Sequence, residues 1–157
     1  MNFTDTDHIL MQRAVHLARE AQKAGEVPVG ALIFRDGEII GEGWNRPILD
    51  HDPTAHAEIK ALQDAGRHLQ NYRLVGATLY VTLEPCPMCA GAIVQARIPT
   101  VVYGTIDEKA GACHTLYQIT SDPRLNHRAT VIGGVMRDEC REILREFFAI
   151  QRSLGKK

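Results

Sequence analysis

Apolar positions recur at three- and four-residue intervals between residues 7 and 24, where Ile9, Leu10, Ala14, Leu17, Ala18 and Ala21 mark one face. That spacing predicts an amphipathic helix ending at Gly25. Residues 27–34 form an apolar, β-branched run, Asp36-Gly37 is a tight-turn pair, and residues 38–43 continue beyond it, so the two runs predict a hairpin. Residues 45–52, with Pro47 and Asp50, read as a loop. Asp52 and Pro53 suit the N-cap and first position of a helix running to about residue 66. A third strand follows at 78–83, and Pro87 opens a helix reaching about residue 96. The fourth strand is 100–104. Residues 112–128 are irregular, with one short helix around Leu116. The fifth strand is 130–133, and residues 137–151 form a closing amphipathic helix with Ile143, Leu144, Phe147 and Phe148 inward. Strands alternating with helices after residue 55 predict a largely parallel sheet covered on both faces, an α/β fold.

Length narrows the organisation: 157 residues and 17.4 kDa are enough for one domain with a core and too few for two, so 1–157 is read as a single domain. Apolar residues make up 45% and charged residues 24%, and no apolar run approaches the ~18–20 residues of a membrane span, so a soluble protein is expected. The polar, acidic start lacks the basic and apolar stretches of a secretory signal, which predicts a cytoplasmic location. Four cysteines in such a chain argue against a disulfide framework; Cys113 and Cys140 are expected as buried thiols. Net charge is −1, which by itself gives no sign of a nucleic-acid partner. The carboxyl end is locally basic, with eight Lys or Arg against four acids from Arg124 to Lys157. A helix with a solvated mixed-charge face accounts for that.

The chemistry is concentrated in His56-Ala-Glu58 and, 27 residues later, Cys86-Pro-Met-Cys89. Cys86 and Cys89 stand at i and i+3 where a helix begins, so both sulfurs share one side of its first turn and one metal can bridge them. Helix amino ends favour thiolates. With His56, also expected in a first turn, they supply three ligands, one fewer than a closed structural zinc site needs, leaving a position for water. Glu58 lies about 200° round an ideal helix from His56, which suits a proton carrier better than a fourth ligand. Such a centre lowers the pKa of water from ~16 to ~7 and supports attack on a ring carbon bearing an amino group, with release of ammonia. His51 and His127 are the other candidates for a fourth ligand.

These residues resemble the cytidine-deaminase-like superfamily and, within it, the bacterial tRNA-specific adenosine deaminases. Glu26-Val-Pro-Val-Gly30, Gly43-Trp-Asn-Arg-Pro47, the run from His51 to Glu58, Asn71-Tyr-Arg73, the run from Thr78 to Cys86, the run from Asp107 to Ala112 and Asn126-His-Arg128 match in order across about residues 7–152. The resemblance implies a three-layer α/β/α fold with a central five-stranded mixed sheet and helices on both faces. It implies hydrolytic conversion of the wobble adenosine to inosine in a tRNA anticodon stem-loop, typically of an arginine tRNA, by a homodimer with one Zn2+ per subunit. His56, Cys86 and Cys89 would hold zinc and Glu58 would shuttle protons. Asn45 would contact the flipped base, and the backbone around Ala57 and Glu84 would help orient it. Asp107 and Lys109 match the loop that meets the target nucleotide and its neighbours. Asn126, His127, Phe147, Phe148 and Arg152 match the surface where the anticodon loop is expected. Trp44 is expected in the core at a strand end. Two alternatives share the zinc ligands: a free-base deaminase such as a guanine deaminase, which also carries a Pro-Cys-Pro-Met-Cys segment, and a non-catalytic zinc-stabilised RNA-binding subunit, against which Glu58 argues.

Overall fold

The computed structural model describes residues 2–156; Met1 and Lys157, the two ends of the expected domain and the last of the basic residues, lie outside the described residues. Helix α1 spans Asp5–Lys23 and begins two residues ahead of the expected start. Thr4 and Asp7 form a reciprocal capping box, with Asp7 N–H donating to Thr4 Oγ1 at 3.0 Å and Thr4 N–H to Asp7 Oδ2 at 3.1 Å. Strands β1 (Gly30–Arg35) and β2 (Glu38–Trp44) make the predicted hairpin. β1 starts three residues late because Pro28 brings no N–H and Val29 N–H turns back to Val27 O at 3.0 Å.

The expected loop contains a one-turn helix, α2 (Pro47–Asp50), ended by His51 at φ 50°. Helix α3 is Ala57–Leu69, four residues later than Asp52 and Pro53 suggested, and its N-cap is His56. Asp52 closes a local turn instead, accepting from Thr54 N–H at 2.8 Å and Thr54 Oγ1 at 2.7 Å. The helix passes Gly66 and stops where Gln70 takes φ 52°. Then come β3 (Thr78–Leu83), α4 (Pro87–Gln95), β4 (Thr100–Thr105), β5 (Thr130–Gly133) and α5 (Arg137–Ser153). The short helix expected around Leu116 is a 3-10 turn at Ile119–Ser121.

The sheet order is β2-β1-β3-β4-β5. Only β3, β4 and β5 run parallel; β1 is antiparallel to both its neighbours, so the sheet is mixed rather than largely parallel. A hairpin cannot supply two parallel strands, and the parallel half is therefore confined to the strands joined through helices. Leu32, Tyr80 and Val102 pack with α1 and α5, whereas Ile33, Leu79, Val81 and Val101 pack with α3 and α4, which gives the expected three layers. Inward residues of α5 include Ile143 and Phe147, but Phe148 is 43% exposed with its ring edge-on to Phe147. Adjacent residues on a helix differ by about 100°, so both rings cannot face the core.

Strand register decides where the loops gather. Gly30 pairs with Trp44, and Leu83 with Thr105, so the start of β1 and the ends of β2, β3 and β4 share one edge of the sheet. Ala57, Ala61 and Ala65 form a small-residue stripe on α3 that lies against Gly41 and Gly43 of β2. A Cβ on Gly43 would fall 2.6 Å from Ala57 O, so the contact is backbone to backbone.

Candidate functional site

His56 and Cys86 are the N-cap residues of α3 and α4, both in extended conformation, and the two helix starts face one another at that sheet edge. Cys89 sits one turn into α4 and is buried. His56 Nδ1 lies 3.5 Å from Cys86 Sγ and 3.6 Å from Cys89 Sγ. A tetrahedral ion with Zn–S near 2.3 Å and Zn–N near 2.05 Å sets a nitrogen and a sulfur about 3.6 Å apart. The spacing therefore fits one such ion, with Nδ1 as the histidine ligand. Among the described residues no other His, Cys, Asp or Glu joins this group. His51 is exposed at the end of α2, and His127 turns Nε2 to Ile98 O at 2.6 Å. Neither is a fourth ligand.

Electrostatics at the trio follow from proximity. The Cys89 thiol, hydrogen bonded to Cys86, lowers the Cys86 thiol to about 4 despite burial, with His56 adding to the effect. Cys86, hydrogen bonded to it, in turn drives the Cys89 thiol upward, with burial adding to the effect. The Cys86 sulfur raises the His56 imidazole. Glu58, in the first turn of α3, is 4% exposed, and burial pushes its carboxyl up to about 7. A carboxyl that titrates near neutrality can both take and return a proton.

The remaining sequence-predicted residues form two rims. On one, Asn45 follows β2, and its Oδ1 accepts from Ala57 N–H at 3.0 Å, tying the loop to the start of α3. The buried Glu26, which carried no assigned role, holds the next turn: Ile48 N–H donates to Oε1 at 3.2 Å and Leu49 N–H to Oε2 at 2.8 Å. An acid leading the apolar run 27–34 was the signal for it. Trp44 is partly buried at the strand end, with the Arg46 guanidinium 4.4 Å from its ring centroid. On the other rim, Asp107 is half-buried and its Oδ1 accepts from Lys109 N–H at 3.0 Å and Ala110 N–H at 3.1 Å, which leaves Lys109 exposed at the loop tip.

Glu84 N–H donates to Thr105 O at 2.8 Å, and its carboxylate is buried beneath the same loop. Asn126, Phe148 and Arg152 are exposed and His127 is half-buried; His127, bonded to Ile98 O ahead of β4, lies toward the opposite end of that strand from the site. Cys113 and Cys140 are free and buried, as expected. No helix among the described residues is long and apolar enough to cross a membrane.

Known proteins resemble this chain in sequence and fold. The MafB19-like deaminase profile matches residues 5–152. The tRNA-specific adenosine deaminase of Haemophilus influenzae is 47% identical over 154 residues, covering 98% of this chain and 89% of that protein. A solved structure from work on A-to-I editing by tRNA:A34 deaminases at the wobble position of transfer RNA superposes with a TM-score of 0.84 at 43% identity, over 87% of this chain and 99% of the other. The guanine deaminase of Nitrosomonas europaea has a TM-score of 0.75 at 25% identity, over 90% of this chain and 84% of its own.

Proposed function

The chain belongs to the tRNA-specific adenosine deaminases, and from that premise we propose that it binds one zinc ion through His56, Cys86 and Cys89 and hydrolyses the wobble adenosine of a tRNA anticodon loop to inosine, with Glu58 as proton carrier. The observation that carries the mechanism is the convergence of Nδ1 and two sulfurs at 3.5 and 3.6 Å beside the buried carboxyl of Glu58. When bound, the ion supplies Lewis acidity that brings the pKa of water to ~7.

Glu58 takes a proton from the attacking water and delivers it to the ring nitrogen next to the reacting carbon. The oxygen adds to that carbon, the bond to the exocyclic amine breaks, and Glu58 passes the second proton to the departing ammonia. Asn45, fixed at the mouth of the site by its bond to Ala57, contacts the flipped base. A loop nucleotide can be splayed into such a recess for a few kcal/mol, which a stacked duplex base cannot match. Asp107 and Lys109 meet the neighbouring nucleotides, while Asn126, His127, Phe148 and Arg152 form the outer surface for the anticodon loop. An arginine tRNA is the substrate this reading favours, in the cytoplasm. A second copy of the chain covers the apolar groove between α3 and α4, which Ile59, Leu62, Leu74, Ala92 and Ala96 help to line.

Zinc-loaded protein incubated with an anticodon stem-loop bearing A at the wobble position is expected to release ammonia and leave inosine. Robust turnover of free guanine with no conversion of the hairpin would reverse the substrate assignment in favour of the guanine deaminase reading. Sedimentation is expected to report about twice 17.4 kDa.

A further inference from the structure

Glu84 is placed immediately before Pro85-Cys86, has 1% exposure, and makes no salt bridge among the described residues. A buried carboxylate without a cation is costly unless its lone pairs are filled by donors. Here five donors fill them, and all five belong to one segment. Oε1 accepts from Asp107 N–H at 3.2 Å and Thr115 Oγ1 at 2.5 Å; Oε2 accepts from the N–H groups of Cys113 at 3.2 Å, His114 at 2.9 Å and Thr115 at 2.9 Å. Three consecutive amides aimed at one oxygen make an anion nest, and charge-assisted bonds of this kind are about twice as strong as neutral ones.

The donors come from both ends of the 107–115 loop, so the carboxylate closes it like a clasp. Gly111 lies against the same group: a Cβ there would fall 2.5 Å from Glu84 Oε1, so no side chain fits between loop and acid. Backbone bonds tie the remainder, with Ala112 N–H on Pro85 O at 2.8 Å. The chain entering the metal-ligating helix and the loop carrying Asp107 and Lys109 are thereby one body.

We propose that Glu84 is a positioning residue, whose carboxylate fixes the 107–115 loop against the zinc-ligand segment so that Asp107 and Lys109 are set for the RNA before it arrives. This rests on the function proposed above. The test uses the zinc-loaded full chain and its Glu84→Gln variant, with amide exchange measured by NMR and kinetics measured on the anticodon hairpin. Glutamine keeps the volume but brings N–H groups against N–H groups, losing bonds whose disruption is worth about tenfold or more. The expected result is zinc content equal to the parent, exchange at residues 107 and 113–115 faster by about tenfold, parent-like exchange at Leu79 and Val81, and KM raised about tenfold with kcat within a factor of about three.

Unchanged exchange in the loop overturns the proposal, and so does a loosened loop with parent KM, or a fall in kcat at constant KM. Should Glu84→Gln fail to fold, Thr115→Val removes one of the five bonds and is expected to show the same split at smaller size; parent exchange and parent KM in that variant overturn the proposal equally. Failure of the parent on the hairpin strikes the substrate reading instead, and the exchange comparison still decides whether Glu84 holds the loop.

Discussion

His56 and Glu58 are two residues apart, and the division of labour proposed for them comes from the backbone between them. An ideal helix would separate them by about 200°, but His56 is not helical: at φ −75° and ψ 156° it caps α3 from outside, while Glu58 turns into the first helical coil. The convergence of His56, Cys86 and Cys89 was legible because few uses other than a metal need His, Cys and Cys at this spacing; the reason Glu58 stands apart was not, since it depends on where the helix begins. Removing the carrier tests its role directly. Glu58→Ala is expected to lower kcat on the hairpin by ~10²–10⁴ or more with zinc content retained, and a variant as active as the parent removes Glu58 from the mechanism. Asn45 needs a subtler change, because its Oδ1 also satisfies an amide at the start of α3. Asn45→Asp keeps that acceptor but loses the amide N–H2 group. Urea unfolding should move by less than ~1 kcal/mol while turnover of the hairpin drops. Parent activity in this variant withdraws the base contact.

At the scale of elements, the packing of α3 on β2 places Glu58 and the N-cap His56, and it works through absent side chains. Gly43→Ala drives a Cβ to 2.6 Å from Ala57 O and Ala61 N, so α3 must move outward, carrying His56 and Glu58 with it. The expected outcome is a loss of about 1–3 kcal/mol in unfolding free energy together with weaker zinc retention against a chelator. A variant that holds zinc as well as the parent shows that the site tolerates a shifted helix. Tyr80 offers a second, independent element contact, its hydroxyl donating to Asp7 Oδ1 at 2.8 Å and joining β3 to the start of α1. Burial, and then Asp7, hold that hydroxyl protonated well above its ordinary range. Because the folded value is raised, this contribution is complete below ~10, the unfolded value, and fades as pH rises beyond it. Tyr80→Phe should cost about 1–2 kcal/mol at pH 7, and its stability should fall less than the parent's above pH ~10. Element types were largely readable from periodicity, but the boundaries were set by individual hydrogen bonds. Thr4 with Asp7 lengthened α1, and Asp52 spent its side chain on Thr54 rather than on a helix.

For the whole molecule, a mixed sheet collects at one edge residues that the chain keeps far apart: Asn45, His56, Cys86 and Asp107 all follow strand ends or cap helices there. This convergence could be anticipated from the strand and helix alternation, and Asp36-Gly37 announced the hairpin of β1 with β2, whereas the antiparallel pairing of β1 with β3 could not, because no local pattern states which strand lies on its other side. Charge at this scale constrains how the RNA is held. The chain carries −1 overall, and several of the carboxyl-terminal cations are paired locally, Arg141 with Asp138 at 3.3 Å and Arg124 with Asp122 at 2.7 Å. Arg152 and Lys109, both exposed, belong to the proposed RNA surface and are well placed to meet phosphates. Affinity for single-stranded RNA falls with salt by a slope of ~0.7 per phosphate contacted. With contacts limited to a handful of phosphates, the logarithm of hairpin affinity should fall with the logarithm of salt at a slope of about −2 to −3, and Arg152→Ala should make it shallower by about 0.7 without changing kcat. In the proposed reading specificity resides at the His56, Cys86 and Cys89 site, whose half-buried and buried groups are screened less than exposed charges. Binding titrations of the hairpin across a range of salt concentrations measure this slope; a slope several times steeper would mean that a broad electrostatic surface, rather than the two rims around the proposed metal site, captures the RNA.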